Sequence, residues 1–98
     1  MLKKGPIEDG KREVTFELAG AVSGNRVNLC GEFNDWSETS LPLEHNEVSG
    51  NYEVTVLLEA GRVYRYRYLI DGARWENDWL ADDYVPNEFG GEDSTLQA

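Results

Sequence analysis

Three tryptophans and one arginine, Trp36, Trp75, Trp79 and Arg67, carry the most chemistry in this chain. An indole offers a broad electron-rich face and a single N–H donor, so it serves recognition as well as packing. The C–H face of a sugar ring stacks on such a surface, while nearby guanidinium, amide and carboxylate groups meet the ring's hydroxyls. The same residues suit two plainer roles: tryptophans of a hydrophobic core, and a surface for protein contact. Residue type alone leaves all three open.

Catalytic chemistry finds less support. His45 is the single histidine and lies between Glu44 and Asn46 in a polar stretch, so it reads as a solvated side chain. Glycoside cleavage needs two facing carboxyl groups in a cleft, one of them desolvated. Most acids here alternate outward on strands or sit in loops. The run Asp78, Asp82, Asp83, Glu88, Glu92, Asp93 lacks the spacing of a helix-loop-helix calcium site and reads as a solvated loop. There is no Ser-His-Asp set and no phosphate-cradling glycine loop. No catalytic residues, no metal and no cofactor are expected.

The stretch Arg26 to Trp36 organises the chain. Val27, Leu29 and Gly31 alternate with Asn28 and Cys30 at strand period. The run breaks at Phe33-Asn34-Asp35-Trp36, where Asn and Asp side chains hold turns by bonding the local backbone. A strand thus delivers Trp36 to a loop, as a surface anchor and not a core residue.

Other segments frame it. Val14, Phe16 and Leu18 alternate with polar residues, and so do Tyr52, Val54, Val56 and Leu58. Tyr64, Tyr66, Tyr68 and Ile70 share one face of a third segment; Val63, Arg65, Arg67 and Leu69 share the other. The predicted core is Phe16, Val27, Leu29, Val54, Val56, Tyr66, Tyr68 and Ile70, with tyrosine hydroxyls at the sheet margins. Turns are expected at Ser23-Gly24-Asn25, Val48-Ser49-Gly50-Asn51, Ala60-Gly61 and Asp71-Gly72. Leu41-Pro42-Leu43 reads as a short edge strand, Arg74-Trp75 as a short returning strand, 77–91 as an ordered surface loop and Ser94 to Gln97 as a last strand. About seven short strands at such spacing indicate an all-β, immunoglobulin-like antiparallel β-sandwich. The loop at Asp71-Gly72 decides where Trp75 points. A two-residue turn sets Trp75 opposite Tyr68, pointing into the core; the expected three-residue loop through Ala73 sets it opposite Leu69, on the outer face beside Arg67.

The 98 residues suit one domain. Residues 1–10 lack periodicity and read as a flexible N-terminal lead-in, with the sandwich domain at 11–98. Nineteen acidic against nine basic residues give a net charge of -10. That balance disfavours nucleic acid and anionic membrane surfaces and accommodates a neutral ligand. Cys30 is the lone cysteine, so no internal disulfide forms, and its strand position reads as a small buried hydrophobe. No apolar stretch follows Lys3 and Lys4, and a cytoplasmic protein is expected.

Three motifs in order, Val27-Asn28-Leu29-Cys30-Gly31-Glu32-Phe33-Asn34-Asp35-Trp36, Gly50-Asn51-Tyr52-Glu53-Val54 and Tyr66-Arg67-Tyr68-Leu69-Ile70-Asp71-Gly72, resemble carbohydrate-binding module family 48. That family includes the glycogen-binding domain of the AMP-activated protein kinase β subunit and the early-set N-terminal domains of isoamylases and branching enzymes. The resemblance covers about Val14 to Gln97. It implies an early-set sandwich that binds α-1,4-glucans (glycogen, starch or maltooligosaccharides) and is non-catalytic, often accessory to a glycoside hydrolase family 13 enzyme. The family's two stacking tryptophans match Trp36 and Trp75, and its basic residue matches Arg67. An apolar residue of its last loop matches Phe89, and its sugar-binding Asn matches Asp93, which accepts hydrogen bonds but cannot donate them. Trp79 stands where relatives often have proline. The resemblance implies an α-glucan as ligand and an α-glucan-active enzyme as partner. The competing expectation is a sandwich that keeps the frame but mediates protein association.

Overall fold

The computed structural model describes residues 2–20 and 25–98. The strands are β1 (Leu2–Glu8), β2 (Lys11–Leu18), β3 (Val27–Gly31), β4 (Glu44–His45), β5 (Tyr52–Glu59), β6 (Val63–Ile70), β7 (Arg74–Glu76), β8 (Asp83–Pro86) and β9 (Glu92–Gln97). One sheet has the order β1-β2-β5-β4; the other has β3-β6-β9-β8, with β7 paired to the free half of β6. Every pairing is antiparallel. This is the expected all-β, immunoglobulin-like sandwich.

Alternation builds the core. Val14, Phe16 and Leu18 of β2 are buried, as are Val27 and Leu29 of β3, Leu58 of β5 and Leu96 of β9. Tyr64, Tyr66, Tyr68 and Ile70 present the inner face of β6, the strand flanked by β3, β7 and β9. Phe16 meets Tyr66 edge-on at 5.0 Å, and Tyr66 meets Tyr68 at 6.1 Å. These geometries suit the ring quadrupoles. Val54 and Val56 face the same core but are only partly buried.

Several expectations are corrected. The stretch read as a lead-in forms β1, paired with β2 through a two-residue Asp9-Gly10 turn. Gly5 and Pro6 lie where the β1–β2 register shifts, which interrupts the alternation that would betray an edge strand. The segment 77–91, read as one loop, contains β8, and the last strand begins at Glu92 instead of Ser94. Leu41 and Leu43 bond to the backbone of Leu29 and Val27, after which Glu44–His45 pairs with β5, so the chain crosses between sheets there. Apart from Asn25, the turn expected at Ser23-Gly24-Asn25 lies outside the described residues.

The hydroxyl of Tyr64 reaches the Glu59 carbonyl at the end of β5 at 3.4 Å, but those of Tyr66 and Tyr68 do not run to the margins. Tyr66 Oη donates to Asp78 Oδ2 at 2.8 Å and Tyr68 Oη contacts the same oxygen at 3.4 Å, in the interior. Asp78 also receives the Leu80 amide at 3.0 Å, and its own amide donates to Ser94 Oγ at 2.9 Å. Asp78 and Asp93, read as members of a solvated acidic run, are therefore buried. A carboxylate survives burial when several donors converge on it.

Candidate functional site

The site lies on the outer face of the sheet that contains β6. At one end, β3 closes on Gly31, where an added Cβ would stand 2.7 Å from both the Arg65 carbonyl oxygen and the Phe33 ring. Only a residue without a side chain lets the chain fold back so tightly. Phe33 then packs inward, 5.5 Å from Phe16 and 5.9 Å from Tyr64. The following turn is held by Asn34, whose Oδ1 accepts from the Gly31 amide at 2.9 Å. Its Nδ2 donates to Leu29 O at 3.1 Å and Ser40 Oγ at 3.0 Å. This is the side-chain anchoring expected of the motif.

Asp35 and Trp36 both adopt left-handed backbone angles, with φ of 54° and 57°. Such angles are uncommon for a bulky side chain, and they persist only where surrounding bonds enforce them. The Trp36 amide donates to Gly31 O at 2.8 Å and the Ser37 amide to Asn34 O at 3.0 Å. The strained corner aims a half-buried Trp36 along the sheet face.

At the other end, Asp71 and Gly72 turn with φ of 54° and 68°, and the Ala73 amide donates to Ile70 O at 3.1 Å. Pairing resumes with Ile70 opposite Arg74, leaving Ala73 as an extra residue, so Trp75 stands opposite Leu69. Opposed residues project to one side of a sheet. Trp75 therefore emerges on the outer face, as expected of the longer loop, and is 37% exposed. Asp71 also accepts the amides of Asn25 at 2.8 Å and Arg26 at 2.9 Å, which clamps the hairpin to the start of β3.

The guanidinium of Arg67 lies over the Trp75 ring, 5.8 Å from its centre. Among the described residues, its buried Nε has no hydrogen-bond partner. Cys30 sits opposite Arg67 across the β3–β6 ladder. Burial, reinforced by the charge of Glu38, pushes its thiol up to about 11, so it packs as a neutral group beneath the site.

The β8–β9 turn supplies the third side. Asn87 Oδ1 accepts the amides of Phe89 and Gly91, each at 3.0 Å, and presents Phe89 almost fully to solvent. Asn87 Nδ2 donates to Asp93 Oδ1 at 3.2 Å. Trp36, Arg67, Trp75, Phe89 and Asp93, the residues singled out from the sequence, all line one open cleft of about 880 Å³. Trp79 does not join them. It is 67% exposed beside a separate, smaller cleft with Leu80, Asn51 and Glu17, its indole nitrogen donating to Glu76 at 3.3 Å.

Glu32, Arg65, Asn87 and Glu88 also line the larger cleft, although none of them is assigned to a binding site from the sequence. Arg65 shares the outer-face alternation of Arg67, a signal that was present. Glu32 accepts the Arg65 amide at 2.7 Å, a contact across 33 positions that no local pattern announces. Asn87, between Pro86 and Gly90-Gly91, reads only as a turn residue until the loop closes around its side chain.

Residues 6–85 match the family profile described as Carbohydrate-binding module 48 (Isoamylase N-terminal domain). The chain belongs to this family. Trp36, Arg67 and Trp75 fall within the matched residues of the carbohydrate-binding module, whereas Phe89 and Asp93 lie beyond them. Over 65 residues the module is 37% identical to the 1,4-alpha-glucan branching enzyme GlgB of Thiobacillus denitrificans. That stretch is 65% of this chain and 8% of the enzyme, so the chain spans a small part of that relative. Among the described residues, no helix is long and apolar enough to cross a membrane.

Proposed function

We propose that this carbohydrate-binding module is a non-catalytic binder of α-1,4-glucans such as glycogen, starch or maltooligosaccharides. The observation that carries the reading is the convergence of Trp36, Trp75 and Phe89 with Arg67 and Asp93 on one cleft. Flat aromatics take the apolar faces of successive glucose rings, and charged groups between them meet the hydroxyls. The three acids at the cleft support a binding role: Glu32 is tied to the Arg65 amide, Asp93 lies between Asn87 and Arg65, and Glu88 is exposed to solvent rather than desolvated. An α-glucan-active enzyme is the partner this reading implies, whether attached or separate. The module then works in the cytoplasm, where a free thiol such as Cys30 persists. The net charge of -10 speaks against nucleic acid and anionic membranes as alternatives.

A titration of maltoheptaose into the ¹⁵N-labelled module tests the reading. Shifts confined to the Trp36 and Trp75 indole N–H groups and the Phe89–Gly91 amides support it; an unchanged spectrum at millimolar sugar removes it. The second reading, a protein-association module, draws on Trp79 and Leu80, exposed by 67% and 63% beside the smaller cleft. It predicts no sugar response there or in the larger cleft.

A further inference from the structure

Two opposite charges at the larger cleft face each other without completing a bond. Arg65 Nη1 stands 3.9 Å from Asp93 Oδ2. Direct N–H···O bonds span roughly 2.7–3.2 Å, so the pair attracts without a hydrogen bond. The Asp93 side chain is 8% exposed while that of Arg65 is 44% exposed. Oδ1 of Asp93 receives Asn87 Nδ2, but among the described residues nothing donates directly to Oδ2. A buried ion pair is well compensated only when further hydrogen bonds fill its remaining lone pairs and protons. Here one acceptor oxygen and the donors of an exposed guanidinium are left over, both at the lining of the cleft.

We propose that Arg65 is a ligand-binding residue, and that Arg65 and Asp93 hold one sugar hydroxyl between them. A hydroxyl both accepts and donates. Its oxygen takes an N–H of Arg65, and its proton goes to Asp93 Oδ2. This assignment rests on the glucan reading of the cleft and adds a polar subsite to it, at the β6–β9 side. The two arginines thereby divide the work. Arg67 lies over Trp75, whereas Arg65 is turned to the carboxylate. Asn87 positions Asp93 and, through the Phe89 and Gly91 amides, couples the subsite to the loop that carries Phe89.

The test is calorimetric titration of maltoheptaose into the wild-type module, Arg65→Met, Asp93→Asn and the double variant. Arg65→Met keeps the apolar stem and removes the donors. A charge-assisted hydrogen bond lost from each side predicts weaker binding by on the order of tenfold for either single variant. The double variant loses little more than the weaker single one, because both changes break the same bridge. Additive losses overturn the shared hydroxyl. Unchanged binding by Arg65→Met, with binding abolished by Trp36→Ala, overturns the assignment and leaves the glucan reading standing. No binding by the wild type overturns the reading and this subsite together. Arg65→Lys keeps a cation with N–H donors, so the bridge should recover part of the affinity that Arg65→Met loses. A folded Arg65→Lys that binds no better than Arg65→Met overturns the single-hydroxyl bridge.

Discussion

Arg67 places its guanidinium 5.8 Å from the centre of the Trp75 ring, on the one face of β6 that the core leaves open. The stacked cation orients the indole and screens one of its faces, which leaves the other for a ligand. Cation–π contacts contribute about 0.5–1 kcal/mol at exposed sites and more when desolvated. Arg67→Gln is expected to cost several-fold in maltoheptaose affinity and to shift the Trp75 indole N–H resonance in the unliganded module. Arg67→Lys retains part of both. An unmoved Trp75 resonance in Arg67→Gln removes the orienting role.

Trp36 offers a test in which backbone and side chain separate. At φ 57°, any side chain carries a penalty that glycine escapes, about 1 kcal/mol. Trp36→Ala and Trp36→Gly both delete the indole and should each weaken glucan binding by on the order of 2 kcal/mol, as anchoring aromatics do. Their stabilities should differ in an unusual direction. Glycine normally costs stability through the unfolded chain, yet here Trp36→Gly should match or exceed Trp36→Ala in thermal denaturation. A clearly more stable alanine variant contradicts the strained corner.

Much of this arrangement is legible in the sequence because strand period is a local property. The alternation of Tyr64 to Ile70 separates core from site without any knowledge of the other sheet, and Asn34 declares its turn within three residues. The Asp71-Gly72 pair even limits the choices for Trp75 to two. What stays hidden depends on contacts far apart in the chain. Val54 and Val56 alternate as well as Val14 does, but neighbouring elements cover them less completely. Asp78 looks like any loop acid until Tyr66, Tyr68 and Ser94 converge on it. Strand β1 is invisible because Gly5 and Pro6 interrupt its pattern, and its pairing is supplied wholly by β2. The role of Arg65 requires Asp93, 28 residues away, to be brought opposite it.

Alkaline pH should destabilise the fold in two steps. Cys30, Tyr66 and Tyr68 are acids whose neutral forms are buried, and all three are raised above their ordinary values. Burial is the main cause, with the charge of Glu38 adding for Cys30 and that of Asp78 for the tyrosines. Below pH 9 the three groups are protonated in both states, and their contribution to stability is fully present. Above the ordinary thiol value of 9.0 the unfolded chain releases a proton that folded Cys30 keeps until about 11, so stability falls across that window. The loss is roughly 1.4 kcal/mol per pH unit. Above the ordinary tyrosine value of 10.0, Tyr66 and Tyr68 each add a similar slope. Urea unfolding between pH 8 and 11 should show the decline, and in Cys30→Val it should begin about one unit later. Stability that is level from pH 9 to 10.5 in the wild type refutes the assignment.

Ala73 is the residue that the β6–β7 hairpin does not need for its register. The turn already closes in four residues, through the bond from the Ala73 amide to Ile70 O, with Asp71 and Gly72 both left-handed. Those angles suit a two-residue hairpin, in which the residue after Gly72 pairs with Ile70. Ala73 takes that hydrogen bond, but Arg74 takes the pairing. Deleting Ala73 lets Arg74 fill both places. The pairing of Leu69 with Trp75 is kept, because one residue leaves the loop and none leaves the ladder. Side chains alternate with period two, so a retained register keeps Trp75 on the outer face. The deletion variant should therefore bind maltoheptaose within about twofold of the wild type and melt no lower, since a bulge gives way to a favoured turn. The Asp9-Gly10 hairpin, where Glu8 pairs directly with Lys11, shows the shorter connection within the same chain. A folded deletion variant that has lost sugar affinity shows instead that Ala73 sets the tilt of the Trp75 indole.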